Sequence, residues 1–108
     1  MARRVARGEV WLYRFAEPDK RRPVLVLSRP DALEVMQTAL VVGITSTVRG
    51  LPTEVLLGPE QGMKTPCVAN LDHVFTVRHS ALRKFVATMP PEVMRAVCRA
   101  LGIATACA

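Results

Sequence analysis

Two stretches of sequence decide the fold, RRPVLVLS at residues 21–28 and LVVGITST at residues 40–47. Each contains a short apolar run, rich in β-branched residues and bounded by turn residues, which predicts a strand buried on both faces. The first run begins beside Arg22, and the second ends in the hydroxyls of Thr45, Ser46 and Thr47. If the strands are antiparallel neighbours, these polar groups lie at the same end of the sheet. A guanidinium beside a hydroxyl suits a phosphate, because its fork matches two phosphate oxygens and stays charged near neutral pH.

The rest of the chain extends this pair into a small, mainly β domain. Further strands are predicted over residues 9–15, 53–57, 65–69, 71–77 and 84–88, with an interruption near Asn70, beside the central strands at 24–28 and 38–45. Residues 32–37 are predicted to form one helical turn or a loop. After Pro91, the residues Val93, Val97 and Leu101 recur at helical spacing and Gly102 suits a C-cap, which predicts a terminal helix. The expected architecture is an antiparallel β barrel or curled sheet capped by that helix.

Length and composition bound the remaining possibilities. The 108 residues are enough for one domain, with residues 1–7 expected to form a frayed basic arm and 103–108 a loosely held tail. The three cysteines lack metal-ligand spacing and are expected to be reduced, two of them packed as small hydrophobic residues. The two histidines have no ligand-spaced partner, so neither a metal nor a cofactor is expected. With no signal peptide and no long apolar stretch, the chain is expected to be cytoplasmic, without a membrane partner.

The charge is strongly basic, with 15 Lys and Arg residues against 9 Asp and Glu residues. Eight of the basic residues fall within the first 30 positions. A net charge of +6 on so small a body favours a polyanion such as nucleic acid, or an acidic protein partner. The alternative from charge alone is a solvated surface without a specific partner.

Five segments together resemble the MazF/PemK toxin endoribonucleases. In order along the chain they are GEVW at 8–11, RPVLVLS at 22–28, ITS at 44–46, LPTEV at 51–55 and CVANLDHV at 67–74. The resemblance covers roughly residues 8–102. It implies an SH3-like antiparallel β barrel with a C-terminal helix, a fold also found in gyrase-poisoning toxins of the CcdB type.

The resemblance also implies a function and its partners. It implies the toxin of a type II toxin–antitoxin system that works as a homodimer and cleaves single-stranded RNA sequence-selectively without a metal. The 2′-hydroxyl of the substrate attacks the adjacent phosphorus and leaves a 2′,3′-cyclic phosphate and a 5′-hydroxyl. Arg22 and Thr45 match the catalytic residues of the family. The implied protein partner is a cognate antitoxin with an acidic, flexible segment that lies over the groove.

The same resemblance implies supporting roles for other residues. Asp19 and Ser46 are candidates for catalytic support, although the loop before Arg22 is shorter than in many family members and Asp19 also suits a plain turn. The candidate RNA-binding residues are Lys20, Arg21, Thr47, Arg49, Lys64, Asn70, Asp72 and His73. The basic ones could bind phosphate, and the short polar ones could read base edges.

Structural alternatives exist for each of these residues, and other functions exist for the whole chain. Arg22 could be a strand-edge charge, the hydroxyls could be ordinary β and turn residues, and Asn70, Asp72 and His73 could be surface groups. Trp11 and Tyr13 are expected in the core or in a dimer contact rather than as base-stacking platforms. The alternative functions are a gyrase-poisoning toxin of the same fold without nuclease activity and a non-catalytic RNA-binding barrel.

Overall fold

A computed structural model describes residues 4–14 and 21–107 of the chain. Its strands are β1 (Glu9–Arg14), β2 (Arg21–Val26), β3 (Thr38–Thr45), β4 (Glu54–Leu57), β5 (Cys67–Arg78) and β6 (Leu82–Thr88). Its helices are α1 (Pro30–Val35) and α2 (Pro91–Ala104). The strands form one antiparallel sheet in the order β4-β5-β3-β2-β1-β6. The predicted fold class, mainly β with a C-terminal helix, is confirmed.

The central pair of the sheet is β2 with β3, as the two apolar runs predict. Val24 pairs with Gly43, and the ladder continues inward through Leu25 and Val26, all three β2 residues being fully buried. The ladder to β3 begins one residue after Pro23, because proline has no N–H to donate to it. The end of β2 that precedes Val24 is therefore released from β3 and can face a groove.

Strand β5 is continuous, but its pairing changes at the predicted interruption. Its first residues pair with β4 up to Asn70, and two of them, Val68 and Ala69, also pair with the end of β3, whereas its residues from Val74 onward pair with the earlier part of β3. Between Val42 and Ile44 of β3 the register shifts, which leaves extra β5 residues without a partner on β3. Such a bulge bends the strand and increases its twist, so the sheet curls at this point.

Both faces of the sheet carry buried apolar residues. One cluster packs beneath α2 and includes Leu25, Leu71 and Val97, while the other includes Trp11, Val41 and Leu33 of α1. Trp11 is 4% exposed and packs edge-to-face on Phe85, which confirms its predicted place in the core. None of the helices in the described ranges has the length and apolar character to cross a membrane.

The end of α2 and the tail that follows it differ from the sequence prediction. Gly102 does not end α2, which continues to Ala104 with Thr105 as its C-cap residue. The Thr105 hydroxyl donates to the Leu101 carbonyl at 2.8 Å, and the Cys107 N–H donates to the Gly102 carbonyl at 2.7 Å. These bonds satisfy the last carbonyls of the helix. The expectation of a loose tail is therefore wrong as far as Cys107.

The expectation of a frayed N-terminal arm is wrong for residues 5–7. Val5 is buried in the second cluster, and the Ala6 N–H donates to the Glu9 carboxylate at 2.8 Å. The Arg7 guanidinium donates to the Leu27 carbonyl. The arm is anchored because a buried carboxylate and a main-chain carbonyl both need donors.

Candidate functional site

The main groove is a cavity of about 670 Å³ at the sheet end where β2 begins and β3 ends. Arg22, Lys64 and Lys84 contribute its positive charges. The other lining residues come from several strands and from the loops next to them: Leu12, Pro23, Ile44, Thr45, Ser46, Thr47, Gly62, Met63, Thr65, Cys67, Phe85 and Val86. Among the lining residues that the structure describes there is no carboxylate. The groove therefore offers cations and hydroxyl groups to an anionic ligand.

Arg22 and Thr45 lie at the same end of the sheet. The last cross-strand pair of β2 and β3 at this end is Val24 with Gly43. Arg22 lies two residues before Val24, and Thr45 lies two residues after Gly43. Both residues line the main groove. The sequence prediction that the two strands bring these groups to the same end of the sheet is correct.

The Thr45 hydroxyl is oriented by the turn that follows it. Its oxygen accepts the Thr47 N–H at 3.2 Å. A hydroxyl whose oxygen already accepts one bond still has its own proton to donate. Thr45 can therefore donate a hydrogen bond to an anion in the main groove.

A carboxylate fixes the rest of that turn. Glu54 accepts the N–H groups of Arg49, Gly50 and Leu51, at 2.8 Å in the shortest of these bonds. Gly50 has φ +72°, a conformation that an L residue rarely adopts. Glu54 lies at the start of β4, so the sheet itself positions the segment that carries the hydroxyl cluster.

Two further lining residues have constrained environments. Burial raises the pKa of the Cys67 thiol, so this sulfur stays protonated near neutral pH. Gly62 has φ +88°, and a Cβ there would lie 3.0 Å from the Cβ of Ala87. Among residues 4–14 and 21–107, no three His, Cys, Asp or Glu side chains are grouped so that they could hold a metal ion.

The structure gathers only part of the residue set inferred from sequence. Arg22, Thr45, Ser46, Thr47 and Lys64 line the main groove. Asp19 and Lys20 lie outside the described residues. Arg21 lines a neighbouring cavity instead, and Arg49 is exposed in the turn held by Glu54.

Asn70, Asp72 and His73 do not line the main groove of the single chain. Asn70 is buried, and its side-chain oxygen accepts the Asp72 N–H at 3.0 Å. Asp72 in turn accepts the Thr53 hydroxyl at 2.7 Å, a bond that ties the segment before β4 to β5. His73 is exposed. In this chain Asn70 and Asp72 brace the bulge of β5, and their predicted RNA-binding role stays a prediction.

Sequence reasoning missed two polar groups of the groove, Thr65 and Lys84. Lys84 pairs with Leu12, which places it beside the groove from the β6 side. The pairing of β6 with β1 joins Lys84 to Leu12, a residue 72 positions away, so no local pattern around Lys84 could reveal it. The cysteine prediction was also partly wrong, because Cys98 and Cys107 are exposed and only Cys67 is buried.

Comparison with known proteins gives the family. The model of the PemK-like, MazF-like toxins of type II toxin–antitoxin systems matches residues 6–105. The curated relatives include the probable endoribonuclease MazF5 of Mycobacterium tuberculosis, 42% identical over 103 residues that cover 94% of each chain. The probable endoribonuclease MazF2 of the same organism is 34% identical over 94% of this chain and 98% of its own.

Solved structures share the fold. The Mycobacterium tuberculosis toxin MazF-mt6 superposes with a TM-score of 0.82 at 30% identity, covering 91% of this chain and 96% of that one. A mycobacterial endoribonuclease in complex with its cognate antitoxin gives a TM-score of 0.86 at 25% identity, covering 94% and 95% of the two chains. The present chain belongs to the PemK-like, MazF-like toxins of type II toxin–antitoxin systems.

Proposed function

We propose that the chain is an endoribonuclease that cleaves single-stranded RNA sequence-selectively and without a metal. The 2′-hydroxyl of the substrate attacks the adjacent phosphorus, the 5′-oxygen leaves, and the products carry a 2′,3′-cyclic phosphate and a 5′-hydroxyl. The observation that carries the proposal is that Arg22 and Thr45 lie at the same end of the sheet and line one cationic groove. Relatives that are named endoribonucleases support it.

The chemistry of the step matches the side chains. In-line attack concentrates negative charge on the non-bridging oxygens of the phosphorus in the transition state. The Arg22 guanidinium and the Thr45 hydroxyl are donors held at a sheet end, so they stabilise that charge more than the charge of the ground state. Lys64 and Lys84 add a positive field that attracts the strand.

The proton of the attacking hydroxyl needs an acceptor. Asp19 is assigned this supporting role, and Ser46 is assigned a second donor to the phosphoryl oxygens. An Asp19→Asn variant tests the assignment, because it keeps the shape of the side chain and removes its basicity. A cleavage rate equal to that of the parent chain would exclude Asp19 as the acceptor.

The proposed assembly has two partners besides RNA. The first is a second copy of this chain, since large apolar side chains such as Val35 and Leu56 are exposed on the single chain. The second is a cognate antitoxin whose acidic segment lies over the main groove, as the net charge of +6 favours. Some relatives have been solved with their antitoxins. We place these interactions in the cytoplasm.

The test is cleavage of an unstructured RNA by the purified protein in EDTA, followed by mapping of both new ends. The expected products carry a cyclic phosphate and a 5′-hydroxyl, and an RNA with a 2′-deoxy group at the scissile nucleotide is expected to resist cleavage. A chain that binds RNA without cutting it would be a binding barrel. A chain that neither cuts nor binds RNA but inhibits gyrase would be a gyrase poison, and either result would refute the proposal.

A further inference from the structure

A second cavity, here named the flanking cavity, has a volume of about 460 Å³ and adjoins the main groove. Four cationic side chains line it, those of Arg14, Arg21, Arg83 and Lys84. Among the lining residues that lie within the described ranges there is no carboxylate. Lys84 is shared with the main groove and Arg21 is an RNA-binding candidate from the sequence, but Arg14 and Arg83 have no role in the cleavage step.

Two of these arginines oppose each other directly. Arg14 of β1 is the cross-strand partner of Arg21 of β2, and both side chains are exposed. Like charges in directly opposite positions destabilise an antiparallel pair. The repulsion is relieved when an anion lies between the two guanidinium groups, so this pairing favours an anionic ligand.

A β-bulge brings the third arginine to the same cavity. Leu12 pairs with Lys84 and Tyr13 pairs with Leu82, so Arg83 has no register partner on β1. Bulges re-aim side chains and are common beside functional sites. Side chains of consecutive residues in a regular strand point to opposite faces. Here both Arg83 and Lys84 line the flanking cavity because the bulge interrupts that alternation.

The flanking cavity continues the main groove. Leu12 and Lys84 line both cavities, so a strand bound in the main groove can pass Lys84 into the second cavity. The aromatic ring of Tyr13 already packs edge-to-face on Phe75. The cavity therefore presents cations that can bind phosphates but, among its described lining residues, no unoccupied aromatic ring on which a base could stack. Contacts of this kind are made to the nucleic-acid backbone and do not depend on sequence.

We propose that the flanking cavity binds the phosphodiester backbone of the RNA strand outside the scissile position. The inference rests on the proposed function, since it extends the substrate from the main groove. An acidic protein segment is the other polyanion that fits the charge. RNA is favoured because the cavity is continuous with the groove assigned to the scissile phosphate, and phosphates recur regularly along a strand.

The experiment measures binding rather than cleavage, so it does not depend on the reaction. The probe is a length series of single-stranded 2′-deoxy oligonucleotides of one composition, which lack the attacking hydroxyl. The variant is the double substitution Arg14→Gln and Arg83→Gln. The matched control is Arg95→Gln with Arg99→Gln, which removes the same charge from exposed positions on α2.

The parent chain and the control are expected to gain affinity with oligonucleotide length in two stages, first as the strand fills the main groove and then as it reaches the flanking cavity. The variant is expected to lack the second stage. For the longer oligonucleotides we expect a loss of about tenfold in affinity. We also expect the dependence of log K on log salt to become shallower by about 1.4, which is ~0.7 for each lost phosphate contact. The melting temperature of the variant is expected to stay level or rise, because the repulsion between Arg14 and Arg21 is removed.

Three results would overturn the inference. One is parent-like affinity of the variant at every length, and another is an equal loss at every length. The third requires a second probe, a glutamate-rich peptide. If the variant lost affinity for this peptide but not for the oligonucleotides, the cavity would be assigned to a protein partner. Failure of the proposed function is separate, since it would appear as absent cleavage by the parent chain while the length series keeps its two stages.

Discussion

Replacement of Arg22 by alanine is expected to slow RNA cleavage strongly while leaving the free energy of unfolding almost unchanged. Arg22 is exposed at the start of β2, where it pairs with β1 but not with β3, and its guanidinium makes no ion pair or hydrogen bond with another of the described residues. Exposed substitutions of this kind change the free energy of unfolding by no more than about 0.5 kcal/mol. Loss of a preorganised donor to a transition-state oxyanion instead slows the reaction by ~10²–10³-fold, or about 3–4 kcal/mol.

The assay is single-turnover cleavage of a fluorophore- and quencher-labelled RNA, with urea denaturation of the same samples. Arg22→Lys is expected to recover part of the lost rate, because it keeps the charge but not the bidentate fork. Arg95→Ala on α2 is the control, since it also removes an exposed arginine, at a position that does not line the main groove. A folded Arg22→Ala protein that cleaves RNA at the parent rate would refute the assigned role.

Three further predictions concern the surroundings of the groove. Glu54→Ala removes the acceptor of three turn N–H groups. We expect the free energy of unfolding to fall by about 1–2 kcal/mol and cleavage to slow ~10-fold, and a variant with the stability and rate of the parent chain would contradict this. Gly62→Ala is expected to lower the unfolding free energy by about 1–3 kcal/mol in urea, because φ is +88°, and an unchanged midpoint would contradict it. Iodoacetamide is expected to modify Cys98 and Cys107 in the native protein and Cys67 only after unfolding, and three native adducts by mass spectrometry would be the contrary result.

The central strands were predictable from sequence because their signal is local. Residues 24–26 are apolar on both faces, and β3 has the bounds predicted for it. The meeting of Arg22, at the start of β2, with Thr45, at the end of β3, then follows from antiparallel pairing alone. The same logic accounts for the correct prediction of Trp11 in the core.

The parts that sequence reasoning missed depend on distant pairing. Lys84, Arg83 and Arg14 come together because β6 returns to pair with β1 through a bulge, which no local period encodes. The end of α2 was misplaced because Gly102 resembles a cap, whereas the helix continues to Ala104 and the Thr105 hydroxyl donates to the Leu101 carbonyl at its end. The strand was expected to be interrupted near Asn70, whereas β5 is continuous there and the Asn70 side-chain oxygen accepts the Asp72 N–H.

A double-mutant cycle tests the central claim most directly. If Arg22 and Thr45 act on one phosphodiester, removal of either donor weakens what the other can stabilise, so their effects on the rate are not additive. The account predicts that the barrier increase of the Arg22→Ala, Thr45→Ala double variant falls short of the sum of the single increases by about 1 kcal/mol or more. Losses that add within experimental error would show that the two side chains work at separate places, and would contradict the account.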